Sequence, residues 1–402
     1  GGSNKSVVYT IPVVFHVLHD GGSENISKAQ IDNAIFILNR DYSLQNADAN
    51  NVQTVFQGMP ADVQIEFKLA TKAPNGQCFS GVTRTQNALS NNGSDGSLQV
   101  AAIISGNNIY NNPWAGNRYL NIFVCGEIGG AAGYTTNPSG FTGSSMYNGI
   151  WVLHDYVGSI GTSSPYSSRT LTHEVGHWLN LDHTWSDNNN PGNPSSCSDD
   201  DNCDDTPRCI GVSSCNLTSN TCSNDAIDGY WTSNVVDNVE NYMDYSYCSK
   251  MFTSDQKTRM RSALNSNNTG RKNLWSTSNL NFTGVNVTPS LCAADFYSEQ
   301  QEVCKGNSLQ FFDASYNNAT GWSWNFPGAT PSVSTSQNPT VTYTSSGDFD
   351  VTLQVNDASG NIQSKTMSNY ITSLANPGEI TPIEEGFENV SSIPNMDWAV
   401  IN

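Results

Sequence analysis

The chain is poor in positive charge. Lys and Arg together number 17 against 36 Asp and Glu, giving a formal charge of -19. That balance argues against nucleic acid or an anionic membrane as the partner and fits a secreted protein able to bind calcium. No apolar run approaches the roughly 20 residues of a membrane-spanning helix, and no basic-then-apolar leader is present. A mature or engineered product is therefore expected, with Gly1-Gly2-Ser3 either a natural terminus or a cloning remnant. No Cys-x-x-Cys pair occurs among Cys197, Cys203, Cys209, Cys215 and Cys222, which disfavours a zinc ribbon or a thioredoxin-type site. The ten cysteines instead suggest disulfides and an oxidising, extracellular compartment.

What is present is enough for two or three globular domains. The chain has 402 residues, 37% of them apolar and 10% aromatic. Its chemistry is concentrated in Thr172-His173-Glu174-Val175-Gly176-His177-Trp178-Leu179-Asn180-Leu181-Asp182-His183. On a helix, His173 and His177 share one face a turn apart, so one metal ion can bridge them. Glu174 beside the first ligand is placed as general base for a metal-activated water. Continued helix would carry His183 about 9 Å further along the axis and onto another face, so the chain must turn back after Leu179.

This run resembles the His-Glu-x-x-His-x-x-Gly-x-x-His motif of metzincin zinc peptidases, with Asn180 in place of the Gly. Asn is the non-Gly residue that best tolerates positive φ, so the turn stays feasible. The resemblance implies an α+β catalytic domain: a twisted mixed sheet with an active-site helix, then a loop-rich lower subdomain.

The earlier chain fits that order. Val7 to Leu18 is a β-branched run that predicts a buried strand, in or beside which His16 and His19 are expected to be structural. Ser27 offers an N-cap for a helix to about Arg40, with Ile31, Ala34, Ile35 and Leu38 at helical spacing. Val63 to Leu69 alternates as a strand, and Thr71 to Asn117 reads as polar, weakly patterned loops. Strands are expected at Tyr119 to Cys125 and at Gly149 to His154, with His154 structural, and Ser167 or Ser168 can cap the helix that begins near Arg169. Gly130, Ala131, Ala132, Gly133 and Tyr134 are mostly small, as an edge strand that pairs with an extended peptide would require.

After His183, the stretch from Ser198 to Pro207 packs five carboxylates into eight positions, a repulsion that a hard cation would relieve. Then comes Asn241-Tyr242-Met243-Asp244-Tyr245, followed by Cys248 and Met251-Phe252-Thr253-Ser254-Asp255-Gln256. With Asp205-Thr206-Pro207 and the Ile-Pro-Val-Val-Phe-His-Val at 11–17, these residues resemble the pappalysin family over roughly residues 7–275.

The resemblance implies zinc on His173, His177 and His183, Glu174 as general base and acid, and Met243 as an apolar floor. It implies Tyr245 as a phenol that ligates zinc or stabilises the oxyanion, and calcium on Asp201, Asp204 (by its carbonyl) and Thr206. Some members prefer Arg or Lys after the cut through an Asp soon after the Met-turn; here Ser246-Tyr247-Cys248-Ser249-Lys250 holds no acid.

Thr253 and Gln256 predict a capping box for a helix to about Leu264, with Met260 on its buried side. That gives a catalytic domain over 1–275, with an upper part to about 183 and a lower part over 184–275, then a linker at 276–286 without helical period. From 287 to 375 short alternating strands predict an immunoglobulin-like β-sandwich, and Trp322-Ser323-Trp324-Asn325-Phe326 with Phe349 to Val355 resemble a PKD domain. Cys292 and Cys304 are expected to pair within it, its aromatics are expected in its core, and it offers possible surface or polysaccharide contact. Residues 376–402 read as the start of a further, truncated segment.

The reading is a secreted zinc endopeptidase acting on proteins or peptides bound extended in its cleft. A weak or latent metzincin scaffold that works by adhesion through the sandwich is the alternative.

Overall fold

The computed structural model describes residues 7–106, 110, 113–298 and 300–375. Gly1-Gly2-Ser3 and the segment after residue 375 lie outside them. The chain divides into two compact units. The first runs to Cys292 and takes in Tyr316–Asn318; the second comprises Ala293–Ser315 and the chain from Ala319.

The first unit is built on a sheet centred on β1 (Tyr9–His19). The sheet order is β2 (Ile65–Leu69), β1, β4 (Leu120–Cys125), β6 (Ile150–Leu153) and β5 (Gly133–Tyr134); β3 (Val82–Gln86) continues the pairing of β1 beyond β2. β5 alone pairs antiparallel, with Gly133 opposite Val152. The apolar run of β1 is continuous because both its faces are covered. Ile11, Val13, Phe15 and Val17 join a core with residues of α1 (Lys28–Tyr42) and α3 (Thr170–Trp178), while Val14 and Leu18 join one with α2 (Gly96–Gly106). His16 is buried between Thr83 Oγ1 (2.8 Å) and Asn121 Oδ1 (3.0 Å), a structural histidine.

Ser27 caps α1 by accepting from Gln30 N, and Thr253 and Gln256 form the capping box of α4 (Ser254–Asn265) with Met260 buried. Three expectations need correction. The segment 71–117 is not all loop: it holds β3 and α2. α2 was hidden because Val100-Ala101-Ala102-Ile103-Ile104 is a solid apolar block without helical period. Neither Ser167 nor Ser168 caps α3; Arg169 stands at its N-cap without a side-chain cap, and both serines bond to loop carbonyls instead. The stretch expected to be a linker forms helix α5 (Thr277–Thr283), capped by Ser276 and closed by Gly284 in left-handed conformation.

The described residues of the second unit form two sheets. One orders β12 (Val333–Ser334), β10 (Gly321–Asn325), β14 (Gly347–Asn356), β15 (Ile362–Leu374) and β8 (Glu302–Cys304). The other orders β11 (Ala329–Thr330), β13 (Thr340–Tyr343), β9 (Ser308–Asp313) and β7 (Phe296–Ser298). Val351, Leu353 and Val355 alternate into the core, where Trp324 stacks on Phe326 and meets Phe296. The expected Cys292–Cys304 pair does not form. Cys292 bonds to Cys78, and Cys304 is free and exposed.

Candidate active site

Helix α3 is fixed from three sides. Tyr42 Oη donates to Thr172 O (3.1 Å) and Thr172 Oγ1 to Asp41 Oδ2 (3.0 Å), which tie its start to α1. Gly176 has no room for a Cβ, because Met243 Sδ already occupies that space. At its end Asn180 takes φ 78°, with Asn180 N bonded to His177 O (2.8 Å) and Leu181 N to Gly176 O (3.0 Å). This is a Schellman stop, and it turns the chain back as the spacing of His183 demands. Arg271, buried, donates to Trp178 O (2.7 Å) and lies over the Trp178 ring.

The turn brings three imidazoles together. His177 Nε2 lies 3.0 Å from His173 Nε2 and 3.1 Å from His183 Nε2, and the three candidate ligand atoms fall within 4.8 Å of one another. Each Nδ1 faces a backbone carbonyl: Tyr242 O at 2.7 Å, Leu181 O at 2.8 Å and Asn188 O at 3.0 Å. Donation from Nδ1 leaves every Nε2 lone pair free, as a neutral metal-ligating histidine needs. Burial keeps the rings uncharged: it pushes His173 down to about 3 and lowers His177 and His183 too. Three neutral nitrogens with room for a further ligand fit a catalytic zinc ion. Trp185 stacks on His183, ring centres 4.3 Å apart and planes at 3°.

Glu174 is buried on the same helix, and burial raises its pKa to about 8. Its side chain packs on Gly133 of the edge strand. Tyr245 brings its ring within 5.4 Å of His173 and 4.8 Å of His183, with its hydroxyl donating to Asn189 Oδ1 at 2.8 Å. Glu174, Tyr245 and residues 131–134 all line one open cavity of about 780 Å³, which Gly130 does not. A metal ion held by the imidazoles would supply Lewis acidity beside this buried carboxylate and phenol.

The acidic loop is only partly drawn inward. Asp201 and Thr206 are buried, with Thr206 Oγ1 donating to Asp201 Oδ1 at 2.7 Å, whereas Asp204 is exposed. Asp205, part of the Asp-Thr-Pro motif but not expected as a ligand, is buried with Oδ1 unpartnered, as is Asp201 Oδ2. Trp185 on His183, and Asn189 and the Arg169–Asp48 pair in the cavity wall, also went unforeseen. No motif marks them, and Asp48 meets Arg169 from 121 residues away in sequence.

Similarity to known proteins agrees with this geometry. Residues 104–265 match the family described as pregnancy-associated plasma protein-A, and residues 292–372 match the PKD domain. An extracellular metalloprotease of Colletotrichum graminicola is 33% identical over 53% of this chain and 72% of its own length. One from Neurospora crassa is 33% identical over 36% of this chain, which spans only 48% of that relative. Among solved structures, mature mirolysin of Tannerella forsythia in complex with a cleaved peptide is 32% identical, with a TM-score of 0.58 over 69% of this chain and 99% of that one. The fold is that of a metzincin metallopeptidase. The chain belongs to the pappalysin family.

Proposed function

We propose that the first unit cuts internal peptide bonds of secreted or extracellular proteins, with His173, His177 and His183 holding zinc through Nε2 and Glu174 carrying the proton. The convergence of three Nε2 atoms beside a buried carboxylate on the cavity wall carries this reading. When bound, zinc supplies Lewis acidity that polarises the scissile carbonyl and acidifies a water. Glu174 takes the proton of the attacking water and delivers it to the leaving amine nitrogen. Met243 supports α3 from beneath, so the glutamate and the ligands keep their spacing. Tyr245 Oη exchanges Asn189 for the developing oxyanion.

The substrate lies extended and antiparallel along residues 130–134, since among the described residues β5 ends the sheet order and pairs only with β6. Asp201, Thr206 and the Asp204 carbonyl hold calcium; the unpartnered Asp201 Oδ2 supports this. The chain acts outside the cell, as the relatives' names and the disulfides suggest. The second unit offers surface or polysaccharide contact.

Glu174→Ala tests the mechanism. It should retain zinc and Tm while kcat falls by about a thousandfold or more; substantial residual proteolysis would exclude Glu174 as base. For calcium, addition should raise Tm in the native chain and not in Asp201→Asn.

A further inference from the structure

We propose, resting on the peptidase reading above, that the cavity beside Glu174 selects a large apolar or aromatic side chain next to the scissile bond and disfavours Lys and Arg. Arg169 and Arg40 are already paired with carboxylates, and Asp244 is held by neutral donors only, with its ionised form disfavoured by burial. Arg169 donates to both carboxylate oxygens of Asp48 (3.0 and 2.8 Å) and to Ser249 O, and Asp48 also accepts from Asn46 at 2.7 Å. Arg40 donates through Nε and Nη2 to Asp41 Oδ1 (2.9 and 2.7 Å). Asp244 is buried and accepts from Ser246 N at 2.8 Å. After the Met-turn the chain offers Ser246, Tyr247, Cys248 and Ser249, with Cys248 bonded to Cys215. Among the described lining residues, Glu174 apart, no carboxylate lacks a partner.

Apart from Glu174, which proton transfer uses, an incoming ammonium or guanidinium would therefore lose its water without gaining a free anion, and it would meet Arg40 and Arg169. An uncharged ring meets better company. Ile37, Tyr156 and Pro165 line the cavity. Tyr166 and Tyr247, 71% and 55% exposed, also line it, with ring centres 5.3 Å apart and planes at 30°. Two exposed aromatic faces so close together form a platform on which a substrate ring can stack, and about 780 Å³ holds such a side chain.

The test maps cuts made by the zinc-loaded full chain in a peptide library, then compares kcat/KM for matched peptides carrying Phe or Arg at the preferred position. Phe, Tyr, Trp, Leu and Met should be enriched on one side of the cut and Lys and Arg depleted there. Tyr247→Asp, at an exposed position where folding can be verified by Tm, should lower the Phe/Arg ratio about tenfold or more. Enrichment of Lys or Arg in the native profile, or an unchanged ratio in Tyr247→Asp, overturns the inference while leaving the peptidase reading intact. Absence of all cutting by zinc-loaded protein overturns both.

Discussion

Gly133 and Glu174 share a contact that no side chain at 133 can enter. A Cβ there would stand 2.8 Å from Glu174 Cγ and 3.1 Å from Oε1. The strand that borders the cavity thus also sets where the glutamate lies. Gly133→Ala is expected to lower kcat/KM about ten- to a hundredfold, since a displacement of about 1 Å in a catalytic group costs that much. Bound zinc, measured by elemental analysis, should stay at the native level.

Asn180 at φ 78° makes a different prediction, about the ligands. Asn180→Gly relieves the left-handed conformation and should hold or raise Tm. Asn180→Val adds a branched Cβ to it and should cost about 1–2 kcal/mol. Because the turn delivers His183, Val should also weaken zinc retention in a chelator competition, and Gly should not.

His16 couples stability to pH. Burial depresses its pKa from 6.5 to about 4, so the unfolded chain binds a proton that the folded chain refuses between those values. The full contribution is present above pH 6.5 and is lost as pH falls towards 4, an effect of about 3 kcal/mol. Denaturant unfolding from pH 7 to pH 4 should show a shallower slope in His16→Gln than in the native chain.

Peptide mapping without reduction should recover Cys78 joined to Cys292, while Cys304 alkylates freely. The bridge spans a sequence separation of 214, and Cys78→Ala should cost the chain about 2–5 kcal/mol.

Local spacing made much of this legible. The four- and six-residue intervals among the histidines demand a helix, a stop and a return, and Asn180 in left-handed conformation provides the stop. The capping residues Ser27 and Thr253 and the doubly covered β1 were equally local signals. Features assembled from distant segments were not legible. α2 has no period because its apolar block is continuous, and its place is set by packing on the sheet. Cys78 lies too far from Cys292 for spacing to link them. The Arg169–Asp48 pair joins positions 121 residues apart, and neither carries a motif.

The carbonyls that orient the three imidazoles belong to Tyr242, Leu181 and Asn188, so an ion held as proposed would tie the Met-turn, the end of α3 and the loop beyond it together. Metal occupancy is then linked to unfolding: each tenfold rise in free zinc above the dissociation constant adds about 1.4 kcal/mol to the folded state. If zinc binds as proposed, resistance to digestion is expected to rise with the zinc level of the surroundings. A zinc-poor medium is then expected to shorten the life of the chain by exposing it to other peptidases.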